Sequence, residues 1–290
     1  MKKIIAAQQF LQNHLDLFEC PLCHEPFVAV NELGIVCPQG HRFDLSRKGT
    51  LYFLKKHVKT EYDAQMLAHR RNIIQAGFFD PFLQAIAASL QPATNILDVG
   101  CGEGSTTSRL AQQVPAHYVG FDISKPGINL ATQQPTNVFF CVADLANLPF
   151  NHDSFDTLLD IFSPSQYAEF DRVLKPGGQL LKIVPNLDYL HELRTRLYAG
   201  QAKENYQNNR VVDLFAQHVR IRQQQRIRYI FDLNATTFED LLAMTPLTWQ
   251  AAPDKLAALR ADPLQQITID VTLLRGEKPL SKGVNSSPSN

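Results

Sequence analysis

From Asn95 to Pro185 the chain alternates short apolar runs with amphipathic ones: NILDVG, TTSRLAQQV, HYVGFD, PGINLATQ, VFFCVAD, FDTLLDIF, AEFDRVL and GQLLKIVP. Runs of four to seven apolar residues without polar alternation are strands buried on both faces, and an amphipathic stretch between two of them is a crossover helix. The pattern therefore predicts an α/β domain with a mainly parallel sheet and helices on both sides. Upstream, YDAQMLAHRRNIIQAGFFDPFLQAIAASLQ predicts two helices broken near Gly77 and Asp80-Pro81. Downstream, YLHELRTRLYA predicts a helix, RIRYIFDL and QITIDVTLL two strands, and Phe238 to Met244 a helix between them.

A different kind of segment precedes this. Residues 1 to 19 carry apolar side chains at helical spacing (Ile5, Phe10, Leu11, Leu15, Phe18) and predict a short helix. The following stretch, to about Leu54, reads as a small strand-rich module (PFVAV, GIVC, TLYFL) with too little apolar mass to stand without a staple. A staple is present in C-x2-C-x13-C-x3-H: Cys20, Cys23, Cys37 and His41. Zinc takes four tetrahedral thiolate and imidazole ligands, and each close pair lets one turn present two of them. With all four positions filled by protein, no place remains for water or substrate, so the metal is expected to be structural. His24, adjacent to Cys23, is poorly placed to share the ion, and Cys101 and Cys141 read as small core residues.

The chain divides into 1–59 (helix plus metal module), 60–276 (the α/β domain) and a Pro/Ser/Gly-rich tail at 277–290 expected to be disordered. The apolar run after Met1-Lys2-Lys3 stops at Gln8, too short for a signal peptide, and no stretch approaches a membrane span. Five cysteines without a paired framework suit a reducing compartment, and the expected location is the cytoplasm.

The loop LDVGCGEGS is the chemical landmark. A strand reaching Asp98 is followed by Gly100, Gly102, Glu103 and Gly104, and a helix starts near Ser105. Glycines allow close backbone approach to a ligand, and the helix N-terminus offers unpaired N–H groups. The spacing D-x-G-x-G-x-G differs from the G-x-G-x-x-G of nicotinamide and flavin sites. It resembles the loop of Rossmann-like, class I S-adenosylmethionine (SAM) dependent methyltransferases. That resemblance implies that Asp98 and the glycine loop serve the methionine moiety, that Asp122 at the end of HYVGFD takes the ribose hydroxyls, and that Asp144 lies near the adenine amino group.

Metal module and methyltransferase core together resemble the RlmA-type 23S rRNA (guanine-N1)-methyltransferases over residues 18 to 275, through CPLCHEPF, CPQGHRFDLSRKG, AHRRNIIQAGFFDP, LDVGCGEG, FSP, RVLKPGG and LLAMTPLTW. The resemblance implies methylation of a guanine in a 23S rRNA hairpin, at position 745 or 748, by a homodimer whose zinc modules help form an RNA cleft. It carries Gly102, Glu103, Phe79 and Tyr189 over as cofactor contacts. At the last two the chain departs from a relative's Tyr and His, so a hydrogen bond from position 79 is lost. The loop DIFSPSQY sits where related enzymes place target-base residues, which makes Phe162 a stacking candidate and Asp160 a candidate base. Trp249 would either wall the pocket or close the core.

Net charge is zero, from 28 basic and 28 acidic residues, so an RNA partner must be met locally. Two clusters qualify: Arg42, Arg47, Lys48, Lys55, Lys56 and Lys59; and Arg194, Arg196, Lys203, Arg210, Arg220, Arg222, Arg226 and Arg228. Two competing readings are a small-molecule or lipid methyltransferase with an incidental zinc module, and a non-catalytic zinc-ribbon RNA-binding protein.

Overall fold

The structure is a computed structural model and describes residues 2–31, 34–56, 58, 63–201, 204 and 208–280. Helix α1 (Lys3–His14) passes through a short 3-10 turn (Leu15–Leu17) into the metal module, where β1 (Ala29–Val30), β2 (Gly34–Val36) and β3 (Arg42–Asp44) form a three-stranded antiparallel sheet. Next comes β4 (Leu51–Tyr52), and here the structure departs from the expectation that TLYFL belongs to the module. Strand β4 instead pairs in parallel with β7 (Phe139–Val142) and forms one edge of the large sheet.

Helices α2 (Ala64–Gln75) and α3 (Asp80–Ala87) fall where the sequence breaks at Gly77 and Pro81. Asp63 caps α2 by accepting from the Met66 amide at 2.8 Å. The alternating region then builds β5 (Asn95–Val99), α4 (Ser105–Gln113), β6 (His117–Asp122), α5 (Lys125–Ala131), β7, β8 (Phe155–Ile161), α6 (Tyr167–Val173) and β9 (Leu174–Pro185). The remainder is α7 (His191–Tyr198), α8 (Asn209–His218), β10 (Arg220–Asp232), α9 (Ala235–Met244), α10 (Pro253–Ala261) and β11 (Gln266–Glu277). Helices α8 and α10 were not anticipated.

Sheet order is β10-β11-β9-β8-β5-β6-β7-β4. Strands β4 to β9 are parallel where they pair in it, and β10 and β11 add an antiparallel edge. Because β6 and β7 run outward on one side of β5 while β8 and β9 run on the other, the chain reverses direction between β5 and β8. A crevice opens at the carboxyl ends of the strands at such a switch point.

Successive strand residues point to opposite faces, so Ile96 and Leu97 enter different cores. One core joins Leu97, Phe121, Phe139 and Phe150 to Leu11 and Phe18 and to Phe27, Ile35 and Phe53 of the metal segment. The other packs Ile96, Leu159, Leu181 and Ile269 against Phe78, Phe82, Leu193 and Leu241. The division expected at residue 59 is thus no gap in the packing: the metal module shares the core of the α/β domain. Among the described residues no helix is long and apolar enough to cross a membrane. Residues Lys59, Lys203 and 281–290 of the expected tail lie outside the described residues.

Candidate functional site

The loop from β5 into α4 depends on its glycines for its shape. Gly102 has φ +58, and a Cβ there would meet only Leu67 at 3.9 Å, so the backbone faces open space. Gly104, at φ +78, is packed so closely that a Cβ would lie 2.7 Å from Ala131 Cβ and 2.8 Å from the Phe140 ring. Together with the ends of β6 and β8 and the segments that follow β7 and β9, the loop lines a cavity of about 450 Å³.

Gly100, Gly102, Asp122, Asp144, Phe162 and Tyr189 all reach this cavity. Asp122 is held by two backbone amides, accepting from Gly102 N at 2.9 Å and Ser124 N at 2.7 Å. Burial raises its carboxyl above the usual range, while those amides and the Arg70 guanidinium oppose the shift. Asp144 begins a tight turn, accepting from Ala146 N at 2.9 Å and, through its carbonyl, from Asn147 N at 3.1 Å. Tyr189 packs 5.4 Å from the Phe162 ring, and burial raises its phenol. Phe162 itself adopts φ +59, a conformation that a bulky residue holds only when its surroundings impose it.

Several candidates stand behind the cavity wall instead of in it. Asp98 is 1% exposed and accepts from the Thr107 hydroxyl, and burial pushes its carboxyl up to about 7. Glu103 is 1% exposed, accepts from Ser105 Oγ at 2.6 Å and faces Arg71 at 3.5 Å, so it braces the loop. Gly104 is enclosed by Ala131 and Phe140. Phe79 is fully buried one layer back, 5.6 Å from Phe162 and 4.6 Å from Phe82.

Asp160 is the plainest correction. It is fully buried, paired with Lys182 Nζ at 2.6 Å, and accepts from Ser165 Oγ at 2.6 Å and Ser163 Oγ at 2.9 Å. A carboxylate so engaged is not presented to a substrate; it fixes the loop that carries Phe162. Trp249 neither walls the pocket nor closes the core, being 40% exposed, whereas its neighbours Met244, Thr245 and Pro246 do line the cavity.

Sequence reading missed Arg70. It extends from α2 into the cavity, with its guanidinium over the Phe79 ring at 5.3 Å and no hydrogen bond among the described residues. The adjacent Arg71 turns away to the Leu130 carbonyl and Glu103.

Cys20, Cys23, Cys37 and His41 converge with all their donor atoms within 4.8 Å of one another. Cys23 Sγ lies 3.7 Å from Cys37 Sγ, and His41 Nδ1 lies 3.5 Å from Cys20 Sγ and 3.4 Å from Cys37 Sγ. A tetrahedron with Zn–S arms of about 2.3 Å and a Zn–N arm of about 2.0 Å has edges of about 3.5–3.8 Å, so the donor set fits zinc. His24 points elsewhere, to Glu19 Oε1 at 3.3 Å.

The basic clusters fare differently. In the first, Arg42 pairs with Asp44 at 2.7 Å, but Arg47, Lys55 and Lys56 are exposed without an acidic partner among the described residues. In the second, Arg194 is 3% exposed and bonds the Leu187 carbonyl, while Arg196, Arg222, Arg226 and Arg228 face Asp262, Glu277, Asp270 and Asp188. That stretch is largely structural, leaving Arg210 and Arg220 exposed without such pairs.

Two family models match the chain: "Methyltransferase domain" over residues 90–235 and "RlmA, N-terminal" over residues 18–59. YxjB of Bacillus subtilis (strain 168), named provisionally as a 23S rRNA (guanine-N1)-methyltransferase, is 40% identical over 90% of this chain and 97% of its own. The 23S rRNA (guanine(748)-N(1))-methyltransferase of Streptomyces fradiae is 27% identical over 90% and 96%. Among solved structures, the complex of the Haloferax volcanii Trm112 methyltransferase activator with its methyltransferase-type partner matches with a TM-score of 0.52 at 20% identity, covering 77% of this chain and 99% of that one. At that identity the likeness concerns the fold alone.

Proposed function

The chain belongs to the RlmA-type 23S rRNA (guanine-N1)-methyltransferases, and we propose that it methylates N1 of one guanine, position 745 or 748, in a hairpin of cytoplasmic 23S rRNA. The observation that carries this reading is the cavity itself: a glycine loop and two carboxylates on one side, an aromatic pair on the other, at the switch point of the sheet. SAM bound there supplies an electrophilic methyl group. Asp122, oriented by two amides, suits a vicinal diol, and Asp144, on the cavity wall beyond β7, suits an exocyclic amine. Arg70 suits the carboxylate of the amino-acid end, since its partners in charge are Asp98, Glu103 and Asp122 around the glycine loop.

The N1 edge of guanine is its pairing edge, so the base must be unpaired or flipped to react. Phe162, pinned in a left-handed conformation beside Tyr189, offers a rigid face against which such a base can stack. Rate then comes chiefly from holding N1 in line with the methyl carbon at about 3 Å, so that the S–CH3 bond breaks as N1–CH3 forms and the N1 proton passes to water. Zinc on Cys20, Cys23, Cys37 and His41 serves structure, because protein fills all four positions. Exposed Arg47, Lys55 and Lys56 suit the phosphate backbone. The homodimer belongs to the same proposal, and a monomeric mass by light scattering removes it.

The test is methyl transfer from labelled SAM to unmodified 23S rRNA, mapped by reverse transcription, because an N1 methyl blocks pairing. One strong stop at a hairpin guanine is expected. Transfer to no RNA while SAM is bound, or transfer to a lipid or metabolite instead, sinks the proposal.

A further inference from the structure

Asp144 and Leu145 line the cofactor cavity, and the chain that follows them runs directly along the metal module. Asn147 closes the Asp144 turn with its backbone N–H, and its side-chain Nδ2 donates to the Pro21 carbonyl at 3.0 Å. Pro21 lies between Cys20 and Cys23, so the position of that carbonyl is set by the knuckle in which the two thiolates meet the other metal ligands. The contact is not isolated. Glu19 N donates to Pro149 O at 3.2 Å, Phe18 and Phe150 form an antiparallel bridge, and Asn151 N donates to Leu17 O at 2.9 Å. Asn151 Nδ2 reaches the carbonyls of Asp16 and Phe18 at 2.7 and 3.0 Å.

A partly buried ion pair clamps the same segment from behind. Arg172 of α6 contacts Glu19 Oε1 at 3.0 Å, beside the first metal ligand, while donating to the carbonyls of Leu148 at 2.9 Å and Phe150 at 2.5 Å. Glu169 accepts from Leu148 N at 2.8 Å. Strand β4, continuous with the metal segment, pairs with β7, which leads into Asp144. The metal module is therefore stitched along the backbone of the one cavity wall that Asp144 occupies, and not only to the outside of the sheet.

We infer that the metal module scaffolds the adenine side of the cofactor cavity, with Asn147 as the positioning residue between the Cys20–Cys23 knuckle and the Asp144 turn. Metal and cofactor binding are then coupled: ordering the knuckle orders the turn, and a ligand gripping the turn stabilises the knuckle. By linkage the two effects are equal in size. This inference rests on the reading of the cavity as the SAM site.

The experiment uses the full zinc-loaded chain and S-adenosylhomocysteine as probe. Zinc occupancy is measured at equilibrium against a graded chelator, with and without saturating S-adenosylhomocysteine, for the wild type and for Asn147→Ala; affinity for the probe is measured by calorimetry. The expected result is that the probe raises the apparent zinc affinity of the wild type on the order of tenfold. Asn147→Ala should retain one zinc per chain, lose most of that gain and bind the probe several-fold more weakly. Equal zinc affinity with and without bound probe in the wild type, a result that needs no variant to fold, overturns the inference alone. So does full coupling in Asn147→Ala. Failure of the wild type to bind the probe at all overturns the cofactor reading and the inference with it.

Discussion

Arg70 and Asp160 show how far residue type can mislead at the scale of single side chains. Asp160 stands near the end of an apolar strand and just before a loop near the expected target base, which makes it look like a base; yet it is fully buried and taken up by Lys182, Ser163 and Ser165. Arg70 sits in a helix next to a second arginine and carries no motif of its own, yet it is the one of the pair that enters the cavity. Which of two adjacent arginines faces inward depends on the helix's rotation against the glycine loop, and α2 is too weakly amphipathic for its pattern to tell. Arg70→Ala is expected to weaken S-adenosylhomocysteine by about 10- to 100-fold, the range for a lost charge-assisted hydrogen bond. Its affinity for 5′-methylthioadenosine, which lacks the carboxylate, should stay unchanged. Calorimetry on both ligands decides, and equal losses would remove the carboxylate role.

At the scale of elements, the Asp160–Lys182 pair ties the end of β8 to β9 and holds the turn in which Phe162 takes a positive φ. Lys182→Met leaves a carboxylate buried without its cation and is expected to cost about 3–5 kcal/mol in urea unfolding. Replacing both partners with apolar residues should recover most of that stability while lowering methyl transfer, since the loop loses its tether. An unchanged unfolding free energy for Lys182→Met counts against the pair's role. The elements with long apolar runs, β5 to β9 and β11, were legible because strands buried on both faces leave an unmistakable run. Helix α10 was not, because it buries one side chain, Leu259, and little periodic signal reaches the sequence. Helix α8 does carry an amphipathic face, with Phe215 buried and Val211 and Val212 packed on the core, but its basic surroundings masked it. Strand β4, only two residues long, has no sequence mark of which sheet it joins.

For the whole molecule, zero net charge means that the proposed binding of RNA must depend on where unpaired cations gather. Lys55 and Lys56 follow β4, which runs parallel to β7, so they lie beyond the same strand ends as Asp144. Lys55→Ala with Lys56→Ala is expected to lower RNA affinity and flatten its salt dependence by about 0.7 to 0.9 in log–log slope per lost phosphate contact, with S-adenosylhomocysteine affinity unaffected. A slope equal to that of the wild type would place the RNA elsewhere. The sequence by itself determined the α/β class, the glycine loop, the carboxylates ending β6 and following β7, and the cluster of Cys20, Cys23, Cys37 and His41, because each depends on local spacing that the backbone must obey. Only the tertiary structure decided that Phe79, Asp98, Glu103 and Asp160 stand behind the cavity, that Arg196, Arg222, Arg226 and Arg228 of the second basic cluster are ion-paired, and that the metal module shares a core with the sheet. Those outcomes turn on contacts between residues far apart in the chain, where packing and charge pairing choose the partner and local pattern carries no record of the choice.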